Sequence, residues 1–159
     1  MSSVIICTDG SPLAEEAAAR GFSLLRPVDQ VVLVTVVEPE PTGLAATMPS
    51  FGVQPGMPPP VPADHEEVME QVVVSSGEAT LQRLAGQLGL DDAELRVLTG
   101  SKPGEAICAF AEELNAEVIV MSSRGLGGIK RAVLGSVSGY VSRTATCPVL
   151  IVPAHAVRT

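Results

Sequence analysis

Two stretches of the chain carry residue types that could do chemistry. The first is Asp9-Gly10-Ser11, a carboxylate, a glycine and a hydroxyl directly after the apolar run Val4-Ile5-Ile6-Cys7. The second runs from Ser122 to Ser138, SSRGLGGIKRAVLGSVS, with four glycines, three basic side chains and no carboxylate. Glycine lets backbone N–H groups approach an anion with no Cβ in the way. The first N–H groups of a helix lack internal partners and sit at the positive end of its dipole. A helix opening at Gly135-Ser136, with Val137 and Ser138 behind it, therefore has the parts to hold phosphate, and Ser136 and Ser138 add hydroxyl donors. A structural reading of the same residues stands beside this one: Ser136 caps the helix and Gly125 turns the chain.

Charge distribution sharpens the question. The net charge of −8 argues against a general nucleic-acid binder. All 18 acidic residues lie at or before Glu117, and Arg124, Lys130, Arg131, Arg143 and Arg158 follow with no acid among them. A basic segment on an acidic chain suggests a local anion site; a run of surface charge is the plainer alternative.

Several familiar chemistries are excluded by spacing. Gly125-x-Gly127 would need a further glycine at 130 to make a dinucleotide fingerprint, and Lys130 stands there. There is no GxxxxGK[ST] loop, no G-x-S-x-G elbow, no H-E-x-x-H and no histidine placed to serve a nucleophile. His65 and His155 have no partner in sequence and read as solvated. Cys7, Cys108 and Cys147 are far apart in apolar stretches and read as reduced core residues.

The elements that must position these groups follow from pattern. Hydrophobic residues make up 46 % of the 159, yet aromatics only 3 %, so the core is aliphatic. Strand 1 is Val4–Cys7. Ser11-Pro12 is an N-cap with proline at the first helical position, and Leu13, Ala17, Gly21 or Phe22, and Leu25 form that helix's inner face before Pro27 ends it. Val31–Val37 is strand 2, continuous rather than alternating and hence covered on both faces.

Residues 39–62 hold eight of the 13 prolines and one charged residue, Glu40, which predicts a mobile loop over about 39–63. Asp64 and Glu67 then make a capping-box-like start, and Leu81, Leu84, Ala85 and Leu88 fall at helical spacing before Gly89. Val72-Val73-Val74 is poor helix material and blurs where that helix begins.

Leu95–Leu98 is strand 3, and Pro103 opens a helix with Ala106, Ile107, Phe110, Ala111 and Leu114 inward. Val118–Met121 is strand 4. The helix from Gly135-Ser136 turns Val137, Tyr140, Val141 and Thr144 inward, Cys147-Pro148 stops it, and Val149–Val152 is strand 5. Alternating strands and helices in a chain of this length predict one α/β domain over 1–159, a doubly wound parallel sheet of five strands flanked by four helices. In such sheets ligands bind beyond the carboxyl ends of strands, where strand order reverses. No apolar run approaches the roughly 20 residues that cross a bilayer, and MSSVIICTDGS lacks the basic flank of a signal peptide, so no membrane association and a cytoplasmic location are expected.

From Ser3 to Pro153 the chain resembles the universal stress protein family. The resemblance is carried by Asp9-Gly10-Ser11, by Val36-Val37-Glu38-Pro39, by Gly100-Ser101-Lys102-Pro103, and above all by Met121–Ser138 with Cys147–Val152. The ATP-binding branch of that family has G-x-x-G, nine residues, then G-[ST]; here Gly125 is followed by nine residues and then Gly135-Ser136. One position departs, because the first glycine of the motif falls on Ser122, near the ribose in the family.

The resemblance implies a Rossmann-like sheet of the adenine-nucleotide-hydrolase type, in the order 3-2-1-4-5. It implies ATP, ADP or AMP as ligand, with Mg²⁺ riding on the phosphates and no metal cage from protein alone. Asp9, Gly10 and Ser11 would meet the adenosine end and Val36 the adenine. Met121, Ser122 and Arg124 would line the site, while Gly125, Gly135, Ser136, Val137 and Ser138 hold phosphates. A homodimer through strand 149–152 is implied as well. The expected function is a nucleotide-dependent regulator in stress response with slow or no hydrolysis, since Asp9 is the only candidate carboxylate and sits at the wrong end of the nucleotide. The alternative is a nucleotide-free homodimeric scaffold that binds a protein partner.

Overall fold

Five short aliphatic runs pair side by side at the centre of the molecule. The computed structural model describes residues 2–25, 27–38, 63–123 and 134–153. Its strands are β1 (Ser3–Cys7), β2 (Gln30–Val37), β3 (Glu94–Thr99), β4 (Val118–Ser122) and β5 (Val149–Val152). Its helices are α1 (Pro12–Ser23), α2 (Ala63–Leu88), α3 (Pro103–Leu114) and α4 (Ser136–Thr144). All pairings are parallel, in the order β3-β2-β1-β4-β5. The expected fold class and strand order are both present. Apart from Ala63, where α2 begins, the proline-rich stretch over 39–63 lies outside the described residues.

Successive side chains of a strand point to opposite faces, and both faces of this sheet are apolar. Val4, Ile6, Leu33 and Val120 bury against α1 and α2 through Ala18, Leu81 and Leu84. Ile5, Cys7, Val32, Val34, Ile119 and Met121 bury against α3 and α4 through Ile107, Ala111 and Val141. Each fully buried Val, Leu or Ile contributes about 1.5–3 kcal/mol relative to exposure. No aromatic residue is among the buried core side chains described, as the composition led us to expect.

Two inner faces differ from the pattern reading. Leu13 was expected inward on α1 but is 43 % exposed, while Ala14, Ala17, Ala18 and Gly21 are buried. The reason is distance: a Cβ on Gly21 would lie 2.4 Å from Val120 Cγ1 and 3.2 Å from Val152 Cγ2, so α1 lies too close to β4 and β5 for large side chains. On α4, Val141 is buried and Val137 and Tyr140 half-buried as expected, but Thr144 is exposed at the helix end. The Val72–Val74 run does not interrupt α2, which is one helix of 26 residues. Its second half is anchored by Leu81 and Leu84, whereas Val68, Met69 and Val72 stay exposed.

Sheet order places the two chemical stretches. β1 is followed by α1 on one face, and β4 by α4 on the other, and β1 and β4 are neighbours. The chain therefore departs to opposite faces at the carboxyl ends of adjacent strands. That is the switch point at which a crevice opens.

Candidate functional site

The turn after β1 is built by local hydrogen bonds. Thr8 N donates to Val34 O at 3.0 Å, extending the ladder one residue past the strand. Gly10 N donates to Thr8 Oγ1 at 3.0 Å, and Ser11 N to Asp9 Oδ1 at 2.9 Å. Gly10 has φ +79°, in the left-handed region that a Cβ disfavours. Ser11 is the N-cap of α1, its Oγ accepting from Ala14 N at 3.2 Å, with Pro12 following as read from sequence. Asp9 is exposed, and one of its oxygens is engaged within the turn.

The turn after β4 closes on itself. Ser123 N donates to Val152 O at 2.9 Å, so the ladder with β5 also runs one residue on. Gly135 N then donates to Ser123 O at 2.8 Å, which brings the two ends of the intervening loop together. The Ser138 hydroxyl donates to the same Ser123 carbonyl at 3.0 Å and approaches Gly135 O at 3.3 Å. Ser138 is therefore a buried fastener through its side chain, and what it turns toward the helix end is its backbone N–H.

The cap of α4 is Gly135, in extended conformation with φ −63° and ψ 168°, and it makes no side-chain cap hydrogen bond. Ser136, which the structural reading made the cap, is the first residue of the helix. The amides of Ser136, Val137 and Ser138 thus receive no oxygen from the cap residue, and no acid lies in the first turn. The N–H groups at the positive end of a helix favour an anion. The donor set fits phosphate.

Met121 and Ser122 end β4 as buried residues, Ser122 in register with Val152. Val36 is half-buried near the end of β2, opposite Leu98, and packs on the core cluster that also holds Met121. The described site residues Asp9, Gly10, Ser11, Val36, Met121, Ser122, Gly135, Ser136, Val137 and Ser138 thus lie at the carboxyl ends of β1, β2 and β4 or on the turns and helix start that follow them. Arg124, Gly125, Lys130 and Arg131 lie outside the described residues.

Thr8 and Ser123, at the turn signal after strand 1 and the end of strand 4, hold the two turns. The contacts from α2 were not visible in sequence. Arg83, from α2, reaches across to α1: its Nε and Nη2 donate to Glu15 Oε1 at 3.0 and 2.6 Å, and Nη2 approaches Gly10 O at 3.4 Å. Gln87 Nε2 donates to the other Glu15 oxygen at 3.2 Å.

All three cysteines are free, and burial, with Cys108 nearby, pushes the Cys7 thiol up to about 12. Burial also raises Cys108 and Cys147. Among the described residues no group of three or more His, Cys, Asp or Glu could hold a metal ion. A groove on α2 lined by Glu67, Glu70, Gln71 and Val74 is acidic and unsuited to phosphate. No helix of the described residues is long and apolar enough to cross a membrane.

Comparison with known proteins agrees with this arrangement. The family model described as Universal stress protein family matches residues 1–153. Universal stress protein MJ0531 of Methanocaldococcus jannaschii is 29 % identical over 153 residues, covering 94 % of this chain and 80 % of its own. Universal stress protein Sll1654 of Synechocystis is 31 % identical over 155 residues, covering 94 % and 84 %. Among solved structures, protein MJ0577 superposes with a TM-score of 0.67 at 18 % identity, over 96 % of this chain and 95 % of that one. A universal stress protein in complex with cAMP gives 0.58 at 22 %, over 96 % and 97 %. An Arabidopsis thaliana family member with AMP bound gives 0.55 at 19 %, over 96 % and 92 %. With a family match over nearly its whole length, and with fold and strand order to suit, the chain belongs to the universal stress protein family.

Proposed function

We propose that this universal stress protein binds ATP or a related adenine nucleotide between the Asp9–Ser11 turn and the start of α4, and acts as a nucleotide-dependent regulator in the stress response. The observation that carries the reading is the amino end of α4, where the cap Gly135 brings no side-chain oxygen and the first turn no acid, at the switch point beside the β1 turn. The phosphates sit on the amides of Ser136, Val137 and Ser138, with Arg124 and Gly125 of the preceding segment taking part. Asp9 meets the adenosine end, and Val36, Met121 and Ser122 line the base and ribose. The cAMP and AMP complexes of two structural neighbours support a nucleotide of this class. A divalent cation such as Mg²⁺ is held by the phosphates. Hydrolysis is slow or absent, because no carboxylate or histidine of the described site stands at the phosphate end to position water. The protein works in the cytoplasm as a homodimer through β5.

The test is to denature freshly purified protein and identify any released small molecule by mass spectrometry, then to titrate the emptied protein with ATP and Mg²⁺ by calorimetry. ATP, ADP or AMP near one per chain, or saturable ATP binding, is expected. If neither is seen, the reading fails and the nucleotide-free, partner-binding scaffold replaces it.

A further inference from the structure

Arg83, on α2, stands at one edge of the site. The Asp9–Ser11 turn is made only of short-range bonds, and its one non-Gly-tolerated conformation sits at Gly10. Thr8 N on Val34 O and the Ser11 cap of α1 hold its two ends, and α2 supplies the contact at its apex. A Cβ on Gly10 would lie 3.1 Å from Thr80 Cγ2 and 3.9 Å from Arg83 Nη2, so the turn lies close against the Thr80–Arg83 face of that helix. Arg83 takes Glu15 through two nitrogens, and Glu15 lies one helical turn after the Ser11 cap, with its N–H bonded to Ser11 O at 3.0 Å. Gln87 occupies the other Glu15 oxygen. The Glu15 side chain is only 11 % exposed, so its carboxylate is committed to α2.

We infer that Arg83 is a positioning residue for nucleotide binding: through Glu15 and the Gly10 carbonyl it holds the Asp9–Ser11 turn against α2. The inference rests on the nucleotide reading above and adds to it a division of labour. The amide end of α4 holds phosphate without help from α2, whereas the turn that meets adenosine depends on α2 for its place. A charge-assisted fork gives directional restraint that a point charge does not. Loss of Arg83 therefore loosens one half of the site and leaves the other.

The experiment compares wild type with Arg83→Met and, independently, Glu15→Gln. Three quantities are read: ATP affinity by calorimetry, the ability of tripolyphosphate to displace ATP, and amide hydrogen exchange at Gly10–Ala14 and at Val137–Gly139 in ligand-free protein. For either variant we expect ATP to bind about fivefold more weakly, consistent with loss of one partly exposed charged hydrogen-bond pair. Tripolyphosphate should keep its wild-type affinity. Exchange should quicken at Gly10–Ala14 and stay unchanged at Val137–Gly139. Arg83→Lys should recover only part of the loss.

Unchanged ATP affinity in both variants overturns the inference and leaves the nucleotide reading intact. A parallel loss of ATP and tripolyphosphate overturns it as well, because Arg83 would then act on the whole fold or directly on phosphate. Tripolyphosphate that cannot displace ATP from wild type removes the division of labour. Wild type that binds no ATP removes the nucleotide reading, and this inference with it. If Arg83→Met does not fold, Glu15→Gln carries the same test.

Discussion

Gly135 caps α4 without a side-chain oxygen for the first amides behind it, while Ser11, at the corresponding place on α1, does offer one. The two helix starts follow adjacent strands and differ in this side-chain cap. Aspartate is among the best N-caps and suits the extended conformation that Gly135 adopts, so Gly135→Asp should leave stability unchanged or raise it by a few tenths of a kcal/mol. The new carboxylate would take the first-turn amides and repel phosphate. ATP affinity should therefore fall by at least about 100-fold, the scale of a few kcal/mol for a lost charged contact and an added like charge. Calorimetry and thermal melting on the same sample check both halves. Retained ATP binding would show that the phosphates lie elsewhere.

At the scale of elements, the approach of α1 to β4 is as informative as any apolar contact. Gly21→Ala puts a methyl 2.4 Å from Val120 Cγ1, on the strand that leads to Met121 and Ser122. Overpacking of this kind costs about 1–3 kcal/mol, and the urea midpoint should drop accordingly. The same helix shows what a sequence reveals and what it conceals. The five strands were legible because each is an aliphatic run bounded by turn residues. The starts of α1 and α3 were legible because Ser11-Pro12 and Pro103 are chemical punctuation. The inner face of α1 was legible at Ala17 and Gly21 but not at Leu13, because hydrophobicity favours Leu13 over Ala14 and Ala18, and only the closeness of α1 to β4 makes small residues the buried ones. Within the site, Asp9–Ser11 and Gly135–Ser138 were legible because adjacent residues make the turn or cap. The Arg83–Glu15 pair was not, since its members are 68 residues apart and meet only when α2 lies beside α1.

At the scale of the molecule, the sheet has two unlike edges. On β3, Arg96 pairs with Glu94, which also accepts from Gln30, and the Arg96 guanidinium stands 5.9 Å from the Phe110 ring centroid. β5 has only Val149, Leu150, Ile151 and Val152. The carbonyls of Pro148 and Val152 accept from Ile119 and Ser123, so in a parallel ladder Val149 and Ile151 turn their N–H and C=O groups to the other side, where no strand of the described residues pairs. An apolar strand with open polar backbone groups invites a further strand, and charge on an edge discourages one. If β5 is the dimer contact, Ile151→Lys should convert a dimer to a monomer in light scattering behind size exclusion, with α-helical circular dichroism retained. A wild type that is already monomeric would sink this assembly.

The asymmetry of the edges also sets a limit on growth. Two copies joined about a two-fold axis at β5 make one continuous ten-stranded sheet, and each of its ends is a β3 edge bearing Glu94 and Arg96. No third chain finds an uncharged template there. A dimer built through β5 would thus terminate its own polymerisation after a single addition.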